Sequence, residues 1–184
     1  MITLASQSPR RRELLERAGI SFTVRSVAID ERVRAGEAPQ QYVRRLAVGK
    51  AMAVPREAGA CVLAADTTVV LGTEILGKPA DDKEAARMLA ALAGRSHEVI
   101  TGICIFYRQE LLIDAAVTTV HFGAMTAEEI DRYVATGEPM DKAGAYAIQG
   151  IASRYITGIE GCYSNVVGLP VSLVCRYLGK LGVL

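Results

Sequence analysis

Neither sign of charge dominates this chain: 21 lysines and arginines stand against 20 aspartates and glutamates, a formal net charge of +1. Gripping nucleic acid through its phosphates needs a broad basic field, so no nucleic-acid partner is expected and any affinity for anions must be local. Histidine is scarce as well. His97 and His121 have no partner at metal-ligand spacing, which argues against zinc and makes both structural or surface residues. The four cysteines, Cys61, Cys104, Cys162 and Cys175, form no C-x-x-C pair and read as reduced core thiols. No uncharged apolar run approaches the ~18–20 residues of a membrane span, and the apolar start Met1–Leu4 passes at once into polar and basic residues, unlike a secretory signal. A soluble, cytoplasmic protein without a membrane partner is expected. Repeats, low-complexity tracts and long linkers are missing too, so one domain over residues 1–184 is the expectation. No G-x-S-x-G elbow, G-x-G-x-x-G turn or Cys/His pair points to nucleophilic or dinucleotide chemistry.

What is present alternates between strand and helix. Met1–Ala5 reads as a strand, Pro9–Ala18 as a helix capped by Ser8 and closed by Gly19, and Ser21–Val27 as a second strand. Residues 29–39 are polar and irregular, the best candidate for a mobile loop. Gln40–Val54 is amphipathic, with Tyr42, Val43, Leu46, Ala47 and Ala51 on one side and Arg44, Arg45 and Lys50 mainly elsewhere. Cys61–Leu71 is a nearly continuous apolar strand broken by Asp66, followed by a hairpin into Ile75–Leu76. A helix is predicted over Asp81–Leu92, a long hairpin over Val99–Tyr107 and Leu111–Phe122, and a helix opened by the capping box of Thr126 and Glu129. The glycine-rich stretch Asp141–Pro170 holds β-like pieces at Tyr146–Ile148 and Tyr155–Ile159, and Pro170–Leu181 is a last helix. The order implies an α/β domain with a mixed, twisted sheet flanked by helices.

Arg10, Arg11 and Arg12 sit in the first turn of a helix, where the macrodipole disfavours cations by about 0.3–1 kcal/mol each. Either they fan outward and solubilise the helix, or they join Ser6, Ser8 and the free N–H groups in binding an anion such as phosphate. Asp66 is a lone carboxylate in a buried strand, which would cost several kcal/mol unpaired. It belongs to a structural network, or it meets a metal or a cationic pocket. Gly72-x-x-x-x-Gly77-Lys78 imitates a phosphate-binding P-loop, but Pro79 replaces the magnesium-binding hydroxyl and no helix starts there. Lys78 is then a solvated turn lysine or a point charge for phosphate. Asp141-Lys142 opens a segment ending in Gln149-Gly150 that taken alone is compatible with an ordinary loop.

Read together, the segments resemble the Maf family of nucleoside triphosphate pyrophosphatases. The resemblance is carried by Leu4-Ala5-Ser6-Gln7-Ser8-Pro9-Arg10-Arg11, Ala65-Asp66-Thr67, Gly77-Lys78-Pro79, Ser96-His97-Glu98-Val99-Ile100-Thr101-Gly102, Asp141-Lys142-Ala143-Gly144-Ala145-Tyr146 and the run from Gly161 to Pro170. It implies a fold like that of inosine-triphosphate pyrophosphatases, metal-dependent cleavage of a nucleoside triphosphate to monophosphate and pyrophosphate, and a homodimer. Ala147-Ile148-Gln149-Gly150 is similar to the branch acting on dTTP and UTP, since the branch acting on 7-methyl-GTP carries glutamate at the position of Gln149. A neutral amide suits the donor–acceptor edge of uracil or thymine, a carboxylate the cationic 7-methylguanine.

The same resemblance assigns the catalytic base to Asp66 and selectivity to Arg10 and Thr67. It implies Mg²⁺ or Mn²⁺ held by Asp66 and Glu31, with Ser6, Ser8, Arg10, Arg11, Lys50 and Lys78 on the phosphates. Asp141 and Lys142 are implied as ligands of the nucleotide or as supports for them. A non-catalytic nucleotide-binding regulator of cell division, or a pyrophosphatase of other modified nucleotides, are the alternatives.

Overall fold

A computed structural model describes residues 1–26, 28–55 and 59–184. Seven strands, β1 (Ile2–Leu4), β2 (Phe22–Val24), β3 (Cys61–Leu71), β4 (Glu74–Leu76), β5 (Ser96–Tyr107), β6 (Glu110–Phe122) and β7 (Ile156–Glu160), form one sheet. Its order is β2-β1-β3-β5-β6-β7, with β4 paired to β3. β1 runs parallel to both β2 and β3, whereas β4 on β3 and β7 on β6 are antiparallel. The sheet is therefore mixed, as expected. Among the described residues six α-helices accompany it: α1 (Pro9–Arg17), α2 (Pro39–Ala53), α3 (Asp82–Leu92), α4 (Ala127–Val134), α5 (Tyr163–Val167) and α6 (Val171–Lys180). No described helix is long and apolar enough to cross a membrane.

The chain divides into two compact units, and β3, β5 and β6 each run through both. The first comprises Met1–Thr67, Thr101–Ala116 and Gly168–Leu184. Its core has two clusters set by the period-2 alternation of its strands. Cys61, Leu63 and Ala65 of β3, with Ile103 and Ile105 of β5, pack with Leu15 of α1 and with Val174 and Leu178 of α6. The alternate residues, Val62 and Ala64 with Cys104, pack with Ala47 and Ala51 of α2. Burying Leu15 and Leu178, both fully enclosed, is worth roughly 1.5–3 kcal/mol each. Gly102 of β5 lets α2 come close: a Cβ there would lie 2.5 Å from the Val43 carbonyl group.

The second unit, Thr68–Ile100 and Val117–Val167, gathers Ala85, Met88, Leu89 and Leu92 of α3 and Ile130, Tyr133 and Val134 of α4 around Val69, Val99, Val120 and Phe122. α3 is capped by Asp81, whose carboxylate accepts the Glu84 N–H at 2.8 Å, and α4 by the expected box, Thr126 and Glu129 each accepting the other's N–H. Arg108 and Gln109, both at positive φ, make the two-residue turn between β5 and β6.

Three expectations need correction. Ser8 occupies the N-cap of α1, yet its side chain makes no capping bond. Tyr146–Ile148 is not a strand: the Ala143–Ala145 turn before it is broken by Gly144 and Ala145, both at positive φ, Tyr146 is extended, and the chain turns again at once where the Gly150 N–H donates to the Ala147 carbonyl at 3.1 Å. The second strand stops at Val24, and Val27, in the expected span Ser21–Val27, lies outside the described residues. The four cysteines are free thiols, Cys61 and Cys104 buried.

Candidate active site

Two successive residues of β3 present opposite chemistry on opposite faces. Asp66 shares the parity of Val62 and Ala64, so it faces α2, and Thr67 shares that of Leu63 and Ala65, so it faces α1. Asp66 is 7% exposed. Its Oδ1 accepts from Lys50 Nζ of α2 at 2.6 Å, and the same ammonium lies 2.7 Å from Glu31 Oε1. Lys50 follows Leu46 and Ala47 by four and three positions, at the edge of the apolar stripe, and its side chain is only 15% exposed. That spacing already distinguishes it from the solvated lysine expected on the polar side. Burial pushes the Asp66 carboxyl above the usual carboxylate range, opposed by the charges of Lys50 and Arg11.

On the other face the Arg11 guanidinium is 8% exposed and bound entirely by neutral acceptors. Nε donates to the Gly168 carbonyl at 2.8 Å, one terminal nitrogen to Ser6 Oγ at 3.1 Å and the other to Thr67 Oγ1 at 3.0 Å. The Thr67 hydroxyl also donates to the Gly168 carbonyl at 3.2 Å and lies 2.9 Å from Thr101 Oγ1. Ser6 Oγ accepts the Ser8 N–H at 3.2 Å, fixing the loop into α1. Burial lowers the Arg11 pKa, countered by the Asp66 charge. So of the three opening arginines Arg11 is turned inward and Arg12 outward, while Arg10 is half-buried.

Residues 28–38 hold no helix or strand, in keeping with the irregular loop expected, but α2 fastens them down. Tyr42 donates its hydroxyl to the Glu31 carbonyl at 3.0 Å, and Arg45 donates to the Arg32 carbonyl at 3.0 Å. Arg45 also makes a two-pronged pair with Glu37 at 2.6 and 2.7 Å, which holds that carboxyl down to about 2. Burial, then the Asp66 and Glu31 charges, push the Tyr42 phenol up to about 12. Tyr42 and Arg45 were not among the sequence candidates. Their signal is positional, three apart on the helix that also carries Lys50.

The other candidates belong to the second unit. Lys78 and Gln149 are exposed, in the segments after β4 and after the Ala143–Ala145 turn. Lys142 pairs with Asp141 and donates to the Glu138 carbonyl at 2.7 Å, which ties it to its own turn. Glu138 in turn accepts from the Tyr133 hydroxyl at 2.7 Å and the Ile151 N–H at 3.1 Å. His97 is structural, as expected: buried, with Nε2 2.7 Å from the Tyr146 hydroxyl. His121 lies at the surface, bridging Ser96 and Glu160.

Among the described residues no three metal-ligating side chains cluster. Asp66 and Glu31 nevertheless converge on one cationic position, and two carboxylates suffice for a hard divalent cation completed by substrate phosphates and water. The donor set fits Mg²⁺ or Mn²⁺ better than a softer metal.

Comparison with known proteins gives the arrangement its context. The chain is 52% identical over 186 residues to the dTTP/UTP pyrophosphatase of Anaeromyxobacter sp. strain Fw109-5, covering 98% of this chain and 89% of that one. It is 48% identical over 184 residues to the dTTP/UTP pyrophosphatase of Koribacter versatilis strain Ellin345, covering 100% and 95%. The Staphylococcus aureus Ham1 protein shares the fold, with a TM-score of 0.51 at 13% identity over 97% of this chain and 98% of that structure. Residues 1–181 match the family model of the Maf-like proteins, and the chain belongs to that family.

Proposed function

We propose that this protein is a nucleoside triphosphate pyrophosphatase that hydrolyses dTTP and UTP to the monophosphate and pyrophosphate. The observation that carries the mechanism is the buried Asp66 carboxylate paired with Lys50, which also pairs with Glu31, on one face of β3 while Arg11 is fixed on the other. The relatives support the substrate, being named dTTP/UTP pyrophosphatases at about half identity over nearly the whole chain.

Asp66 takes the proton of the attacking water as its oxygen bonds to the α-phosphorus, and the bond to the bridging oxygen breaks to release pyrophosphate. A carboxyl raised by burial is a stronger base at neutral pH than an exposed one. Bound by Asp66 and Glu31, a divalent cation would supply Lewis-acid neutralisation of the phosphate charge. Arg11, bonded to neutral oxygens among the described residues, supplies a fixed positive field and holds the Ser6 and Thr67 hydroxyls in place. Lys50 and Arg10 add positive charge, and the N–H groups after Ser8 add the helix N-terminus. We assign Lys78, Asp141 and Lys142 to the nucleotide, and Gln149 with Arg10 and Thr67 to base selectivity, on the family resemblance. One catalytic domain, a homodimer and a cytoplasmic location belong to the same proposal, and sedimentation velocity tests the dimer.

Incubation with Mg²⁺ and dTTP, UTP, CTP, GTP or 7-methyl-GTP, with products followed by ³¹P NMR, tests the reaction. Pyrophosphate with dTMP or UMP, lost in Asp66→Asn, is the expected result. Orthophosphate as first product would sink attack at the α-phosphorus, and preference for 7-methyl-GTP would sink the assignment of Gln149.

A further inference from the structure

We infer that Lys50 is an internal counter-ion occupying the place of the divalent cation, and that it must be displaced before Asp66 and Glu31 can hold the metal. This rests on the assignment of those two carboxylates under the proposed function. The Lys50 ammonium lies 2.6 Å from Asp66 Oδ1 and 2.7 Å from Glu31 Oε1, so one nitrogen fills the position on which both carboxylates converge. A magnesium ion would need oxygens at about 2.0–2.1 Å, and an ion and an ammonium cannot share that space. Asp66, buried with its charged form disfavoured, keeps its charge compensated by this lysine until a stronger cation arrives.

Lys50 is suited to leave. It is a point charge on a flexible stem, whereas Arg11 is pinned by three directed bonds. An ammonium released from two carboxylates needs another anion, and a triphosphate provides one. Metal and triphosphate then assist each other: the cation frees Lys50 for the phosphates, and the phosphates make its departure favourable. Because such coupling is reciprocal, each ligand alone binds weakly and each tightens the other by the same factor. The chain thereby avoids holding a charged metal site ready for water alone.

Calorimetric titration with Mn²⁺ and no nucleotide tests this on the whole chain. Lys50→Met is expected to bind Mn²⁺ about fivefold or more tightly than wild type. Adding a non-hydrolysable α,β-methylene analogue of dTTP should strengthen binding in wild type but much less in the variant. Since two carboxylates without a cation could unsettle the variant, a second readout uses wild type alone. With ¹³C-labelled lysine, the Lys50 Cε resonance should shift on Mg²⁺ addition with the midpoint of metal binding. Mn²⁺ binding no tighter in Lys50→Met, or a Cε resonance that stays put while Mg²⁺ binds, overturns the inference and leaves the proposed function standing. If instead Asp66→Asn made in the Lys50→Met chain leaves Mn²⁺ binding intact, the metal assignment itself falls, and the inference with it.

Discussion

Each compact unit buries a polar cluster, and the two are built on different terms. In the first, Asp66, Lys50 and Arg11 are charged groups withdrawn from water, and among the described residues Arg11 bonds to neutral oxygens. In the second, His97 and Tyr146 are neutral groups bonded to each other and wrapped by aromatic edges, with Phe122 centred 5.2 Å from Tyr146. Burial drives the His97 pKa down to about 4 and the Tyr146 phenol upward, so both stay uncharged across the physiological range. One cluster retains charge at a cost in stability, charge that the proposed function assigns to a ligand; the other gives up charge and packs. The contrast predicts which substitutions harm activity and which harm folding.

The largest effect separates the two most sharply. Asp66→Asn should reduce turnover by roughly 10²–10⁴-fold, the usual worth of a positioned base, while its melting temperature stays level or rises because a disfavoured buried charge is gone. A variant that loses stability in step with activity would place Asp66 with the packing cluster. Next in size, the second cluster should show itself through pH. The folded pKa of His97 lies below its unfolded value of about 6.5, so the unfolded chain binds the extra proton first as pH falls. The stability that depends on a neutral His97 is complete above about 6.5 and is lost as pH drops towards 4, by up to about 3 kcal/mol. Urea unfolding across that window should show the slope in wild type and its disappearance in His97→Phe.

Gly102→Ala should cost about 1–3 kcal/mol, the typical price of overpacking, because the new methyl meets the Val43 backbone. Since α2 carries Lys50, turnover should fall as well, and thermal unfolding beside steady-state kinetics shows whether both move. The smallest effect is expected from Tyr42→Phe. Losing the bond to the Glu31 carbonyl removes about 0.5–1.5 kcal/mol and should raise the Mg²⁺ concentration for half-maximal rate more than it lowers the maximal rate. Equal changes in both would mean that the latch does not position Glu31.

The readability of the chain follows the same division between local and distant. The capping box at Thr126 and Glu129 and the strand Cys61–Leu71 were legible because neighbours in sequence decide them. That Asp66 is a candidate at all was legible too, since a carboxylate in an apolar strand has few explanations. Its partner was not: the meeting with Lys50 depends on strand parity and on how closely α2 approaches at Gly102. For Tyr42 and Arg45 the spacing on α2 was legible but not what they meet, because their partners are loop carbonyls and Glu37. Tyr146–Ile148 read as a strand because its residue types suit one, and Tyr146 is indeed extended, but the chain turns on both sides, at Gly144 and Ala145 and again between Ala147 and Gly150, leaving no length for a strand.

The bond from Arg11 to the Gly168 carbonyl joins residues 157 positions apart. A contact of such sequence separation closes almost the whole chain into a loop, a closure whose entropic cost grows only slowly with loop length. The bonds from Arg11 to Ser6 and Thr67, and that between Thr67 and Thr101, need only earlier parts of the chain, so Gly168 adds the last of the three acceptors that fix the guanidinium. The aim of a side chain in the first helix is thus completed by a backbone group laid down 157 residues later.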